Sequence, residues 1–140
     1  MSKQNNLVLI DSSLWILGLK RNCSENVRKV IGELLDKDLA ATCGMILMEI
    51  LQGSKNKKEY DEIKIELEAL HYFEENKEVW NRGAQLGFDL RRKGVTIPVT
   101  DILIASIAIF YDLILFHADH HFEIIAENSS LKSKQIISGI

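Results

Sequence analysis

Long apolar runs, cysteine and surplus positive charge are what this 140-residue chain lacks, and each absence excludes a class of protein. Two cysteines, Cys23 and Cys43, stand without CxxC spacing, so neither a disulfide framework nor a zinc knuckle is expected. They read as free thiols of a reducing compartment. With 17 Lys and Arg against 20 Asp and Glu, the formal net charge is -3, so no overall positive field announces a nucleic acid. The polar start of the chain leads into an apolar run of only Leu7 to Ile10, too brief for a signal peptide or a membrane span. A cytoplasmic protein with no membrane partner is expected. No internal repeat, low-complexity tract or linker is visible, and a hydrophobic content of 46% can build one core. Residues 1–140 therefore read as a single domain.

What is present alternates. Leu7-Val8-Leu9-Ile10 is uniformly apolar, as in a central strand covered on both faces, and Asp11 stands at its end. Ser12 and Ser13 are candidate N-caps of a short helix through Leu17. Val27, Val30, Ile31, Leu34 and Leu35 repeat at helical spacing behind the cap candidate Ser24. Leu39 to Thr42 reads as a second strand, and Ile46, Leu47, Ile50 and Leu51 return to a helical period that carries Glu49. Lys55 to Glu68 and Lys77 to Arg92 read as an exposed helical hairpin broken at Gly94. Pro98 biases Ile97 toward extended geometry, and Thr100 can cap a very apolar helix from Asp101 to Tyr111. Leu113 to Phe116 is another buried strand, Glu123 to Ile125 a short strand candidate, and the remainder a polar tail. Helices alternating with apolar strands predict an α/β fold with a parallel sheet of four or five strands flanked by helices. In such sheets ligands bind beyond the C-terminal strand ends, where Asp11 and Asp119 fall.

The most informative pattern is where acids stand alone. Asp11 is the only charged residue between Lys3 and Lys20, and Glu49 the only one between Asp38 and Lys55. Asp101 is alone from Gly94 to Tyr111, and Asp119 from Leu113 to Phe122 when histidine is counted as neutral. An ionised carboxylate in apolar surroundings is costly without a compensating cation or donors, and no Lys or Arg is near in sequence. Each acid alone has a plain alternative: Asp11 and Asp101 could cap helices, and Glu49 could pair with a distant base. Together they point to a shared divalent cation that keeps them ionised. An oxygen-only set suits Mg²⁺ or Mn²⁺, which also ligate substrate phosphates, and so predicts phosphoryl-transfer chemistry.

Asp11-Ser12-Ser13-Leu14-Trp15-Ile16 resembles the opening of PIN domains, and Met48-Glu49-Ile50-Leu51-Gln52-Gly53 their Glu-Leu-Leu-x-Gly segment. Ile97-Pro98-Val99-Thr100-Asp101-Ile102-Leu103-Ile104-Ala105 and Leu115-Phe116-His117-Ala118-Asp119 are similar to the third and fourth acidic blocks of the VapC toxin branch. The resemblance implies a PIN-like endoribonuclease, the toxin of a VapBC toxin-antitoxin pair, with an RNA substrate, a VapB-like antitoxin partner and a homodimeric state. It makes Asp11, Glu49, Asp101 and Asp119 the Mg²⁺ or Mn²⁺ pocket. Asp11 and Asp101 are expected as direct ligands with Asp119 completing the shell. Glu49 is left to ligate a second metal, orient water or act as a base. Ser12 and Thr100 could hydrogen-bond the carboxylates or a substrate phosphate, although capping alone explains both. One departure is visible: many relatives have a further Asp two residues after the fourth acid, and this chain has His121, expected near the pocket rim.

His117, His120 and His121 with Asp119 also hint at zinc, but a closed zinc site needs about four ligands in tetrahedral array, which adjacent histidines supply poorly. Lys55, Lys57, Lys58 and the Arg91-Arg92-Lys93 run are ordinary solvated charges unless they border the pocket. Rival readings are a receiver-like binding domain, which would carry a late-strand Lys absent from Leu113 to Phe122, and a PIN scaffold acting only as an interaction module.

Overall fold

The computed structural model describes residues 6–137; the first five residues and the last three, 138–140, lie outside that range. Its centre is built where the sequence is most uniformly apolar. Strand β1 (Val8–Ile10) and strand β4 (Ile114–His117) pair in parallel with Leu9 opposite Leu115, and both leucines are completely buried. Strand β2 (Ala40–Cys43) flanks β1 on the other side, one residue later than the expected Leu39 to Thr42. Helices on both faces are what makes alternation unnecessary in these strands.

Between the strands run α1 (Ser12–Gly18), α2 (Glu25–Asp36), α3 (Gly44–Leu51), α4 (Lys57–Glu68), α5 (Lys77–Arg92), α6 (Val99–Phe110) and α7 (His121–Glu127). Helix α2 begins as its sequence indicates, with the Ser24 side chain accepting from the Val27 N–H, and it buries Val27, Ile31 and Leu34. Three helices end alike. Asp38 (φ 56°), Gly94 (φ 81°) and Asp112 (φ 57°) take the left-handed conformation just past α2, α5 and α6. The next amide then reaches back to Leu34, Leu90 and Ala108 respectively at 2.8–2.9 Å, closing a Schellman-type turn. Two of these turns deliver the chain directly into β2 and β4.

Two edge strands complete a parallel five-stranded sheet in the order β3-β2-β1-β4-β5. The first, β3 (His71–Phe73), interrupts the expected helical hairpin, and α5 packs instead against α6. The second, β5 (Lys132–Gln135), lies in the polar tail and pairs along all of β4. It is anchored by the buried residues Leu131 and Ile136 on either side. The strand candidate at Glu123 to Ile125 is instead part of α7, where Phe122 and Ile125, three apart, are both fully buried. Thr100 does not cap α6 either: the helix starts at Val99, Pro98 occupies the cap position, and no side chain bonds there.

Helix α3 has Cys43 at its cap position, and that side chain makes no cap hydrogen bond. Glu75, from the segment after β3, supplies the missing acceptor: its carboxylate takes the Met45 N–H at 2.7 Å. Both cysteines are free, and burial pushes the Cys43 thiol up to about 12. No helix among the described residues is long and apolar enough to cross a membrane.

Candidate functional site

Asp11 follows β1 directly and serves two ends at once. Its amide bonds the Phe116 carbonyl of β4 at 2.9 Å, and its Oδ2 accepts the Ser13 N–H at 2.9 Å as the N-cap of α1. The cap is thus Asp11, not Ser12 or Ser13. The residue is 3% exposed, yet its Oδ1 has no hydrogen-bond partner. Burial raises its pKa above the ordinary carboxylate value; the Ser13 hydrogen bonds oppose this, Glu49 adds repulsion and His117 relieves a little. The two serines that do not cap are used elsewhere. Ser12 donates its hydroxyl to Glu49 Oε1 at 2.8 Å, tying α1 to α3, and Ser13 Oγ accepts the Ala118 N–H at 2.9 Å, tying α1 to the turn after β4.

Asp101 lies in the first turn of α6 and Asp119 in the turn between β4 and α7. Burial raises the pKa of Asp101, the His121 hydrogen bond counters it, and the charges of Asp119 and Asp11 raise it further. The structure therefore brings Asp11 into electrostatic contact with Glu49 and with Asp101, and Asp101 with Asp119. These acids come from four segments: the C-terminal end of β1, helix α3 after β2, the first turn of α6 and the turn after β4. His121 is partly exposed and contacts two of these acids. Its Nδ1 is 3.0 Å from Asp101 Oδ2 and 3.4 Å from Asp119 Oδ1, and its amide donates to Asp119 Oδ1 at 3.0 Å. Thr100 stands beside Asp101 on α6, and no cap hydrogen bond ties it to the cluster.

The donor set fits a divalent cation. Asp101, Asp119 and His121 each offer a ligand atom, all within 4.8 Å of one another, whereas Asp11 and Glu49 are not part of that group; Asp11 is coupled to Asp101 through its charge and keeps an unpartnered Oδ1.

Sequence reasoning did not single out His117 except as a zinc donor, and the structure gives it a different part. It is completely buried, its Nδ1 accepts the Asp119 N–H at 3.2 Å, and its Nε2 lies 2.9 Å from Glu123 Oε2. With Nδ1 accepting, the ring proton sits on Nε2 and is donated to Glu123. His117 thus fixes the turn that carries Asp119, and both its nitrogens are used. Its position in an apolar strand next to Asp119 was the available signal.

Next to Glu49 opens a groove of about 440 Å³ bordered by Ile16, Lys20, Arg21, Lys55 and Ile63. Of the basic residues singled out in sequence, only Lys55 borders it; Lys57 is paired with Asp61 at 2.6 Å and Arg91 faces an apolar groove between α5 and α6. Lys20, Arg21 and Lys55 form no ion pair among the described residues.

The fold, the acidic cluster at the sheet's C-terminal edge and the family comparison agree on the class. Residues 8–128 match the PIN domain model, and the chain belongs to the PIN domain family. No curated protein matches the sequence. Among solved structures, the chain is similar to VapBC2 from Rickettsia felis bound to a promoter DNA fragment, with 20% identity and a TM-score of 0.77 over 92% of this chain and 98% of that one. It is similar to DNA-bound VapBC from Salmonella typhimurium at 18% identity and a TM-score of 0.79, over 94% and 99%. It also resembles Mycobacterium tuberculosis VapC20, a sarcin-ricin loop cleaving toxin, at 10% identity and a TM-score of 0.61 over 84% and 93%.

Proposed function

We propose that this PIN domain, taken as residues 1–140, is a divalent-cation-dependent endoribonuclease and the toxin of a VapBC-type pair in the cytoplasm. One observation carries the reading: Asp11 is buried with an unpartnered oxygen and within electrostatic reach of Glu49 and Asp101, Asp101 is within reach of Asp119, and among the described residues no Lys or Arg is ion-paired to any of the four. Burial and mutual repulsion of such carboxylates are costly, and a bound cation offsets that cost.

In this reading Asp11, Asp101 and Asp119 hold Mg²⁺ or Mn²⁺, with Glu49 beside them. The cation supplies Lewis-acid polarisation of the scissile phosphodiester and charge neutralisation at its oxygens. Glu49 acts on the water. Ser12 fixes its Oε1, which leaves Oε2 to accept a proton from an attacking water as a general base. Ser13 and His117 hold the turn after β4, so that Asp119 is presented from a rigid backbone. Lys20, Arg21 and Lys55 line the adjoining groove, where they meet the phosphates of an RNA strand leading away from the acids. Their local charge is hidden in a chain whose net charge is -3.

The neighbours named VapBC support a VapB-like antitoxin as partner. A homodimer fits the apolar groove between α5 and α6, where Trp80 and Phe88 are half exposed. The test is cleavage of candidate RNAs by the purified chain with Mg²⁺, with Mn²⁺ and with chelator, alongside expression with and without a co-expressed antitoxin. Cation-dependent cleavage and growth arrest relieved by the antitoxin are expected. Cation-independent cleavage, or unimpeded growth with a soluble, folded chain, would refute the reading.

A further inference from the structure

The residue at which this chain departs from the sequence pattern of its family lies between two of the four acids. Two carboxylates flank His121 Nδ1, Asp101 Oδ2 at 3.0 Å and Asp119 Oδ1 at 3.4 Å, so the ring nitrogen stands where a third ligand atom belongs. All three donor atoms fall within 4.8 Å of one another, and the 3.0 and 3.4 Å separations from Nδ1 are ones that a single ion with bonds of about 2.1–2.2 Å can span. Asp11, 3% exposed with an unpartnered Oδ1 and close enough to act on Asp101 through its charge, is a further acceptor without a partner beside these three.

The two neighbouring histidines are unavailable. His117 spends both ring nitrogens, one on the Asp119 amide and one on Glu123. The His120 side chain is 73% exposed and approaches Asp119 only to 3.8 Å. His121 is 32% exposed, its backbone is fixed by the bond from its own amide to Asp119, and its ring packs on that of His120 at 4.9 Å. Its nitrogen is therefore held toward the carboxylates before any ion arrives.

We propose that His121 is a ligand of the cation held by Asp101 and Asp119, and that its imidazole makes this site select first-row transition dications, Mn²⁺ among them, over Mg²⁺. The inference rests on the cation reading of the cluster given above. Two physical effects act in the same direction. Mg²⁺ is hard, binds almost wholly by electrostatics and takes oxygen ligands, so exchanging a carboxylate for a neutral imidazole removes attraction and offers a donor it uses poorly. Imidazole suits the first-row transition ions, whose affinity for nitrogen donors exceeds that of Mg²⁺. The set is not a closed tetrahedral zinc site, since it has a single nitrogen and no thiolate.

The test uses the full-length chain loaded with one equivalent of Mn²⁺. Pulsed electron paramagnetic resonance reads ¹⁴N coupling from a ligating imidazole, and Mn²⁺ titrations with Mg²⁺ competition give the ratio of the two affinities. The same measurements are made on His121→Asp and on His121→Asn, which removes the nitrogen donor without adding charge, each checked for folding by circular dichroism. The expected result is ¹⁴N coupling in the wild type that both variants lose, with the Mn²⁺ over Mg²⁺ ratio falling at least about tenfold in His121→Asp. Stoichiometric Mn²⁺ binding without ¹⁴N coupling, coupling that persists in the variants, or an unchanged ratio would overturn the role of His121 and leave the cation site standing. Absence of Mn²⁺ binding to the folded wild type would overturn both.

Discussion

Replacing Asp11 by Asn removes the one carboxylate that the fold buries among the described residues, and it should stabilise the cation-free protein while disabling it. The substitution keeps an oxygen for the Ser13 amide, so the cap on α1 survives in neutral form. What it loses is part of a charge-assisted bond and a favourable helix-end interaction, together on the order of 1 kcal/mol. What it relieves is the burial of the charge and its repulsion by Glu49, and the raised pKa shows that these outweigh the Ser13 hydrogen bonds. A net gain of about 1 kcal/mol is expected, which for a domain of this size is a rise of about 3 °C in Tm.

The dependence on pH has a definite sign. Because the folded pKa of Asp11 lies above its unfolded value, the native state takes up the proton more readily, and stability is lost as pH rises through the folded pKa. The wild type and Asp11→Asn should therefore converge in acid, below about pH 4, and separate toward neutrality. Divalent cation reverses the order: at about 100 times its dissociation constant a ligand contributes about 2.7 kcal/mol to the wild type and little to the variant. Thermal unfolding from about pH 3 to 8, with chelator and with Mn²⁺, measures all of this. A variant less stable than wild type in chelator at pH 7, or a difference that does not change with pH, would refute the reasoning.

Asp101→Asn should lower cation-dependent RNA cleavage by about 100-fold or more while circular dichroism and Tm stay near wild type, and near-normal turnover would remove Asp101 from the site. Changing Lys20, Arg21 and Lys55 together to Ala should raise KM for RNA with little change in kcat, and should flatten the salt dependence of binding by about 2 in the log-log slope at about 0.7 per phosphate contact. An unaltered slope would place the RNA elsewhere. Glu75→Ala should cost about 1 kcal/mol in urea unfolding, because the N-terminus of α3 has no other side-chain cap. Gly44→Ala should be felt at the same place, since a Cβ there would come 3.0 Å from the Tyr72 hydroxyl and 3.2 Å from Glu75 Oε1.

The strands of the sheet's centre and the four isolated acids were legible in the sequence because burial on both faces and solitary charge leave local marks. Leu7 to Ile10 and Leu113 to Phe116 can only be interior, and an acid beside such a run needs a partner that its neighbours do not supply. The spacing of Val27, Ile31 and Leu34 likewise declares α2 within a single segment. The edge strands left no such mark: β5 is Lys132-Ser133-Lys134-Gln135, and it is a strand because β4 presents an open edge with unpaired backbone groups. The run around Ile125 became helical because Phe122 and Ile125 share one buried face, which a three-residue window cannot distinguish from a strand. Within the site, the sequence by itself determined which residue types were available, and it marked His121 as unusual. Only the tertiary structure placed that ring between Asp101 and Asp119, spent both nitrogens of His117 and gave Ser12 to Glu49 across 37 residues. Distances of about 3 Å between groups far apart in the chain depend on how helices and strands pack, and packing is a property of the whole core rather than of any segment.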